Sequence, residues 1–169
     1  MSAPTPTPLW LSGRVMRWHT HPHMAGAGDR LDGHHARVAQ IILEKHPEPS
    51  VALLRAALTH DAGEMNVGDI PSGMKRDMPD VASRHARVEA VARDTIAGVF
   101  PDLSQSDQAW LRYADRLDAF LFAQHMGMDM TTTEWRLARE EIARLAAMLG
   151  TIVEDGAWDG FDKNEVVPL

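Results

Sequence analysis

Apolar residues recur at helical spacing in five segments of this chain, whereas the alternation of apolar and polar residues that is typical of β-strands is scarce. In one segment Val38, Ile41 and Ile42 share a face, and Pro47 then ends the helix. Ser50 is a predicted N-cap, and Thr131 to Glu134 form a predicted capping box. We therefore predict an all-α fold. Its main helices are expected at Arg30 to Lys45, Val51 to about Met65, about Val81 to Val99, Asp107 to about Met126, and from Thr131 through Leu149.

The length and composition favour one compact domain. A chain of 169 residues that is 44% hydrophobic can bury a single core with room for a pocket. We expect a flexible N-terminal segment at residues 1–10, the helical domain at residues 11–153, and an acidic C-terminal tail at residues 154–169. Trp110, Trp135 and Trp158 are expected to serve packing rather than chemistry.

The composition also restricts the partners. Because the chain has no cysteine, any metal must be bound by histidine and carboxylate side chains. A net charge of -7 argues against a nucleic-acid partner, since binding to phosphate backbones needs clustered lysine and arginine; a small phosphate ligand remains compatible. Apolar runs fall far short of the ~20 residues that cross a bilayer, so no membrane association is expected. The stretch Met1 to Pro8 lacks the features of a secretory signal, and we expect a cytoplasmic protein.

An adjacent histidine and aspartate, His60 and Asp61, follow an otherwise strongly apolar segment, and Glu64 comes three residues later. On a helix these side chains lie toward one surface, where unpaired buried charge is costly and a metal ion is an effective partner. The alternative is that His60 caps the helix end while the two carboxylates face water. A mixed histidine and aspartate set favours zinc or a similar first-row divalent ion.

Two other positions strengthen the metal interpretation. His34 precedes an apolar helix, and its ring is expected to point inward, although His35 competes with it for that role. Asp115 lies inside an apolar stretch, which is an unfavourable place for an unpaired carboxylate. Asp118, three residues later, is expected to share the face of Asp115.

A histidine, a His-Asp pair and a distant aspartate on successive helices form a pattern that resembles the HD-domain phosphohydrolases. Within them the chain is most similar, over residues 11–125, to the small bacterial 5'-deoxynucleotidases and to the phage deoxynucleoside triphosphate hydrolases, including dATP-specific enzymes. The stretches that carry this match are Arg17-Trp18, Asp32-Gly33-His34, His60-Asp61-Ala62-Gly63-Glu64, Gly68-Asp69-Ile70-Pro71 with Lys75, and Ala114-Asp115.

The resemblance implies a single-domain HD helical bundle that cleaves phosphate from 2'-deoxynucleoside 5'-phosphates and assembles as a homo-oligomer. It implies a divalent metal cofactor, zinc in the first place, with cobalt, manganese and magnesium as alternatives. It also implies the cytosol of a bacterium or of a phage-infected cell. The implied metal ligands are His34, His60, Asp61 and Asp115.

Further roles follow for the residues around the metal. Glu64 would orient or deprotonate the attacking water, and Asp69 would assist by holding water, leaving group or sugar. Arg17 and Lys75 would bind phosphate, because arginine offers a planar fork and lysine a mobile point charge. Trp18 would stack on the base, and Pro71 would shape the pocket rim. The structural alternatives are a solvent-facing glutamate, a turn-forming aspartate, two surface cations and a packing tryptophan.

Several choices stay open in the sequence. The position after His34 is His35, where the relatives often have a small hydroxyl residue, and the loop from His19 to Gly28 is unusual. The resemblance covers both monophosphate and triphosphate substrates, with adenine as the first choice of base. The alternatives are an HD hydrolase of an alarmone or a cyclic nucleotide, and a nucleotide-binding module without turnover.

Overall fold

Helices form the framework of the part of the chain that the computed structural model describes, residues 5–151. This range contains no strand, and its one isolated β-bridge joins Met16 to Arg30. None of its helices is long and apolar enough to span a bilayer. The expected acidic tail, with Trp158, lies outside the described residues, as do residues 1–4 of the expected N-terminal segment. The helices are α1 Pro8–Ser12, α2 Leu31–Lys45, α3 Val51–Ala57, α4 Glu64–Val67, α5 Ser72–Asp77, α6 Pro79–Ala97, α7 Gln105–His125 and α8 Thr133–Leu149.

Helix α7 lies at the centre of the bundle and packs against α2, α3 and α8. Its buried face carries Tyr113, Leu117 and Phe120, and the facing helices add Val38 and Leu53 to the same core. Trp110 of α7 and Trp135 of α8 are buried there too, which confirms the packing role predicted for them. The all-α prediction is confirmed, and the core holds α2 and α7 side by side.

Of the two predicted helix caps, one is confirmed and one is wrong. Ser50 caps α3 as predicted, because its hydroxyl accepts a hydrogen bond from the Leu53 amide at 3.0 Å. The predicted capping box before α8 is wrong: the N-cap is Thr132, which makes no side-chain cap bond. The Thr131 hydroxyl donates instead to Asp129 Oδ1 at 2.6 Å. The short helices α1 and α5 were not predicted, since five or six residues carry too little periodicity.

The predicted helix from Val51 to Met65 is also wrong, because α3 ends at Ala57 and a turn covers residues 58–63. The Thr59 hydroxyl donates to the Arg55 carbonyl at 2.8 Å and satisfies one group at the helix end. The reason for the compact turn lies in α6: a Cβ on Gly63 would stand 2.2 Å from the Glu89 carbonyl oxygen. His60 and Asp61 therefore lie in a turn that is pressed against α6, not on a continuous helix.

We predict that Gly63→Ala destabilises the protein by about 1–3 kcal/mol, because the methyl group would push α6 away from the turn. Gly26→Ala is the matched control, since a Cβ there meets nothing within 4 Å. Urea unfolding monitored by circular dichroism measures both free energies of unfolding. Equal stability of the two variants would contradict the close contact between Gly63 and α6.

Candidate functional site

Three separate elements bring four ionisable side chains together at the centre of the bundle. Helix α2 supplies His34, the turn after α3 supplies His60 and Asp61, and α7 supplies Asp115. One ligand atom from each lies within 4.8 Å of the others. His34 is fully buried, and the other three side chains are 12–29% exposed. The four residues predicted as metal ligands thus form one cluster with an open side.

The spacing inside this cluster matches a small coordination shell. His34 Nε2 lies 3.2 Å from His60 Nε2, 3.4 Å from Asp61 Oδ2 and 3.3 Å from Asp115 Oδ1. Ligand atoms that are about 2.0–2.2 Å from one tetrahedral ion lie roughly 3.3–3.6 Å apart. Two imidazole nitrogens and two carboxylate oxygens are also ligands that first-row divalent ions accept. The residues present therefore fit a divalent metal.

The protonation equilibria of the cluster show how strongly its groups depend on one another. Burial alone would lower the pKa of His34, but hydrogen bonds to Asp115, Asp118 and Asp61 outweigh it and raise that pKa to about 10. Burial would raise the pKa of Asp61, yet the His60 charge and the His34 hydrogen bond hold it below its usual range. Protons on the imidazoles thus balance the carboxylates, and a divalent cation would take over that role by displacing them.

Asp118 orients His34 from outside the cluster. His34 Nδ1 donates to Asp118 Oδ2 at 2.7 Å, which turns Nε2 toward the other ligands. Arg37 holds the other oxygen of Asp118 at 2.6 Å and also bonds to Asp29 at 2.9 Å. Asp118 was predicted only to share the face of Asp115, and its bond to His34 could not be seen in the sequence.

His35 lies next to the cluster but supplies no atom to it. Its ring packs 4.9 Å from the His60 ring, and its residue is only 4% exposed. Burial, reinforced by the positive charge of His60, lowers the pKa of His35 to about 3 and keeps the imidazole neutral. Of the two adjacent histidines, His34 is the one that the fold turns toward the other ligands.

Glu64, at the start of α4, stands on the open side of the cluster. Its carboxylate lies within 4.8 Å of those of Asp61 and Glu89. Burial, followed by the charges of Asp61, Asp69 and Glu89, raises the pKa of Glu64 to about 9. This carboxyl is therefore adjacent to Asp61, partly buried, and holds its proton more tightly than an ordinary glutamate.

The predicted residues of the following loop lie nearer to solvent. Lys75 Nζ donates to Asp69 Oδ1 at 2.7 Å, and both side chains are nearly half exposed. Pro71 is exposed and directly precedes α5, the helix that carries Lys75. The charge of Lys75 is close enough to influence the Glu89 carboxylate, and the charge of Asp69 is close enough to influence the Glu64 carboxylate. This loop therefore forms one rim of the site.

Arg17 and Trp18 are tied to Asp29, and Arg17 also reaches Asp118, the carboxylate that holds His34. Arg17 bonds to Asp29 at 2.9 Å and to Asp118 at 3.5 Å. The Trp18 indole donates to the same Asp29 oxygen at 3.1 Å and stacks on Phe122, with 6.3 Å between ring centroids. Trp18 has φ 62°, a left-handed conformation that is costly for a bulky residue. Strain of this kind is often retained at functional positions, and here the surrounding bonds hold it in place.

Two residues of α6 belong to this region, although they were not predicted. Glu89 joins Asp61 and Glu64 in a second acidic group. His85 Nδ1 lies 3.6 Å from Glu89 Oε2, one helical turn earlier. Their spacing of four residues in an amphipathic helix was the only available sequence signal, and it is also typical of surface ion pairs.

The chain matches a known protein family. The family described as 5'-deoxynucleotidase YfbR-like matches residues 34–151, which include all four residues of the cluster, Glu64 and the whole of α6. Arg17 and Trp18 precede the matched range. Searches of curated proteins and of solved structures returned no match.

We predict that Asp118→Asn weakens metal binding by about 10–100-fold, because His34 loses the charged acceptor that orients its ring. Asp61→Ala, which removes a group of the cluster itself, should retain still less metal. Asp77→Asn is the control, since this carboxylate is exposed and pairs only with its neighbour Arg76 in the described contacts. Elemental analysis and chelator competition measure the effect on folded protein. Normal metal affinity in Asp118→Asn would contradict the orienting role.

Proposed function

The chain belongs to the 5'-deoxynucleotidase YfbR-like family, and on that premise we propose that it is a metal-dependent phosphohydrolase of 2'-deoxynucleoside 5'-phosphates. The observation that carries the proposal is the buried group of two histidines and two aspartates, spaced as a divalent ion requires. The family match favours a nucleoside monophosphate as the substrate. A triphosphate, and dATP in particular, is the alternative that the resemblance of Arg17-Trp18 to the phage enzymes supports.

We assign the metal to His34, His60, Asp61 and Asp115. Zinc is the first choice because it accepts a mixed set of imidazole nitrogens and carboxylate oxygens, and cobalt, manganese and magnesium are alternatives. When bound, such an ion lowers the pKa of water and neutralises charge on the phosphate under attack. The network of Asp118, Arg37 and Asp29 would hold His34 with Nδ1 as the donor, so that Nε2 is the atom that gives up its proton to bind the metal.

The proton transfer is assigned to Glu64. A carboxylate beside the cluster can take the proton of the attacking water once it has lost its own, and a divalent cation bound nearby would favour that loss by offsetting the negative charges around Glu64. Asp69 supports this side of the site by holding Lys75, and it is a candidate to hold water or the sugar.

The phosphate contacts are assigned to Arg17 and Lys75, which differ in mobility. Arg17 is only 14% exposed and fixed by two carboxylates, whereas Lys75 is 47% exposed on a short helix. A substrate phosphate would compete with Asp69 for Lys75 and would use free N–H groups of Arg17. Trp18, stacked on Phe122, and Pro71 at the rim would contact the base and set its selection, with adenine as the first choice.

We further propose a homo-oligomer that acts in the cytosol without a nucleic-acid partner. Large apolar side chains stay exposed on α1 and α6, namely Trp10 at 57%, Val88 at 57% and Val91 at 69%. Apolar surface of this kind is suited to contact between copies of the chain.

The direct test is a panel of 2'-deoxynucleoside 5'-mono- and triphosphates, a guanosine alarmone and a cyclic nucleotide, each incubated with zinc, cobalt, manganese or magnesium. We expect monophosphates to yield inorganic phosphate and the deoxynucleoside, identified by chromatography. Release of tripolyphosphate from triphosphates alone would select the triphosphohydrolase alternative. If an alarmone or a cyclic nucleotide were the only substrate turned over, or if nothing were, the proposal would be wrong.

Glu64→Gln is predicted to keep the metal and to lower turnover on the order of 10² or more, because the amide cannot accept the proton from water. Glu48→Gln, at an exposed position that belongs to neither ionisable group of the site, is the matched control. Steady-state rates and metal content are measured on the same preparations. Near-normal turnover of Glu64→Gln would remove Glu64 from the chemistry.

A further inference from the structure

The inward face of α6 carries ionisable groups where apolar ones are expected. His85, Glu89, Ala92 and Ile96 recur at helical spacing on the partly or fully buried side, while Val88 and Val91 face outward. The His85 and Glu89 side chains are only 15% and 22% exposed. Placing such groups inward costs desolvation, which is offset only where they have a partner.

The position of Glu89 is fixed through its backbone. Its carbonyl oxygen approaches so near to Gly63 that a Cβ there would stand only 2.2 Å away. Gly63 directly precedes Glu64 and follows Asp61 by two residues, so the contact sets the distance from Glu89 to both. The three carboxylates lie within 4.8 Å of one another as a result.

The chemistry of Glu89 restricts what it can contact in a substrate. A carboxylate accepts hydrogen bonds and repels phosphate oxygens, so the group that meets it must be a donor. The charge of Lys75 influences Glu89, but the Lys75 ammonium group donates its hydrogen bond to Asp69. His85 contributes its Nδ1 at 3.6 Å, and its Nε2 is buried without a hydrogen-bond partner in the described part of the chain. Since a carboxylate accepts about four hydrogen bonds, Glu89 keeps acceptor capacity toward the site.

We propose that Glu89 binds the 3'-hydroxyl of the deoxyribose and that His85 is the positioning residue that holds the Glu89 carboxylate. This inference rests on the proposed function, in which the substrate has its phosphate at C5'. The hydroxyl at C3' is then the only free hydroxyl of the sugar. It lies a few bonds from the phosphate, and Glu89 lies beside the cluster without belonging to the four ligands.

The test compares a 2'-deoxynucleoside 5'-monophosphate with the 2',3'-dideoxy analogue of the same base. For the wild-type protein we expect kcat/KM to favour the deoxy substrate by roughly 10- to 100-fold, the range for a hydrogen bond to a charged group. Glu89→Gln should reduce this preference to about threefold or less, mostly through the deoxy substrate. Glu140→Gln, at an exposed position on α8, is the matched control and should keep the wild-type preference.

His85→Phe keeps a ring of similar shape but removes both nitrogens. We expect it to lower the rate on the deoxy substrate by a larger factor than the rate on the dideoxy analogue. A purely structural role of His85 would instead lower both rates together. Equal losses on both substrates in Glu89→Gln and His85→Phe would therefore overturn the assignment.

The wild-type measurement alone can also overturn the proposal, which matters if Glu89→Gln does not fold. A wild-type protein that hydrolyses both analogues equally well has no contact with the 3'-hydroxyl. Failure of the proposed function has a different signature, since no deoxynucleotide would then be hydrolysed by any variant. In that case binding of the two analogues, measured by calorimetry on the metal-loaded wild-type protein, must still show the preference, and equal affinities would sink the inference.

Discussion

The hydrogen bond from buried His34 to Asp118 connects the two helices on which the site depends. It joins α2 to α7 across a sequence separation of 84 residues, in an environment where neither group is tolerable alone. Arg37 and Arg17 add positive charge to Asp118, and both arginines also bond to Asp29. The loop that precedes α2, and with it Trp18, is thereby attached to the same network.

This network explains how a protein with an acidic surface maintains a defined charge balance in its interior. On the closed side of His34, arginines compensate the carboxylates. On the open side, carboxylates outnumber the fixed cations, so histidines hold protons and Glu64 has its pKa raised to about 9. A divalent ion would restore the balance on that side.

Close backbone contact, rather than a long helix, builds the open side. Because Gly63 has no side chain, α6 reaches the turn that bears His60 and Asp61 and brings Glu89 beside Glu64. The short helices α4 and α5 pack against α6 as well. Lys75 on α5 and Asp69 between α4 and α5 are therefore also positioned at the rim by α6. The arrangement of Glu89, Glu64 and the Lys75–Asp69 pair is therefore a consequence of where α6 lies, although α6 itself buries little apolar surface.

The sequence by itself determined the all-α class, most of the long helices and the four residues that converge. These follow from periodicity and from ionisable residues placed in apolar segments, both of which are local properties. It also determined the family, because the order and spacing of the histidines and aspartates survive in the linear chain. Only the tertiary structure decided that His34 rather than His35 faces the cluster, since neighbouring helical residues point about 100° apart and packing sets the rotation. The tertiary structure also ended α3 at Ala57 and turned Glu89 inward, because both outcomes depend on the contact between Gly63 and Glu89, which are 26 positions apart. It made Asp118 the partner of His34 across 84 positions. Local sequence patterns do not extend over such separations.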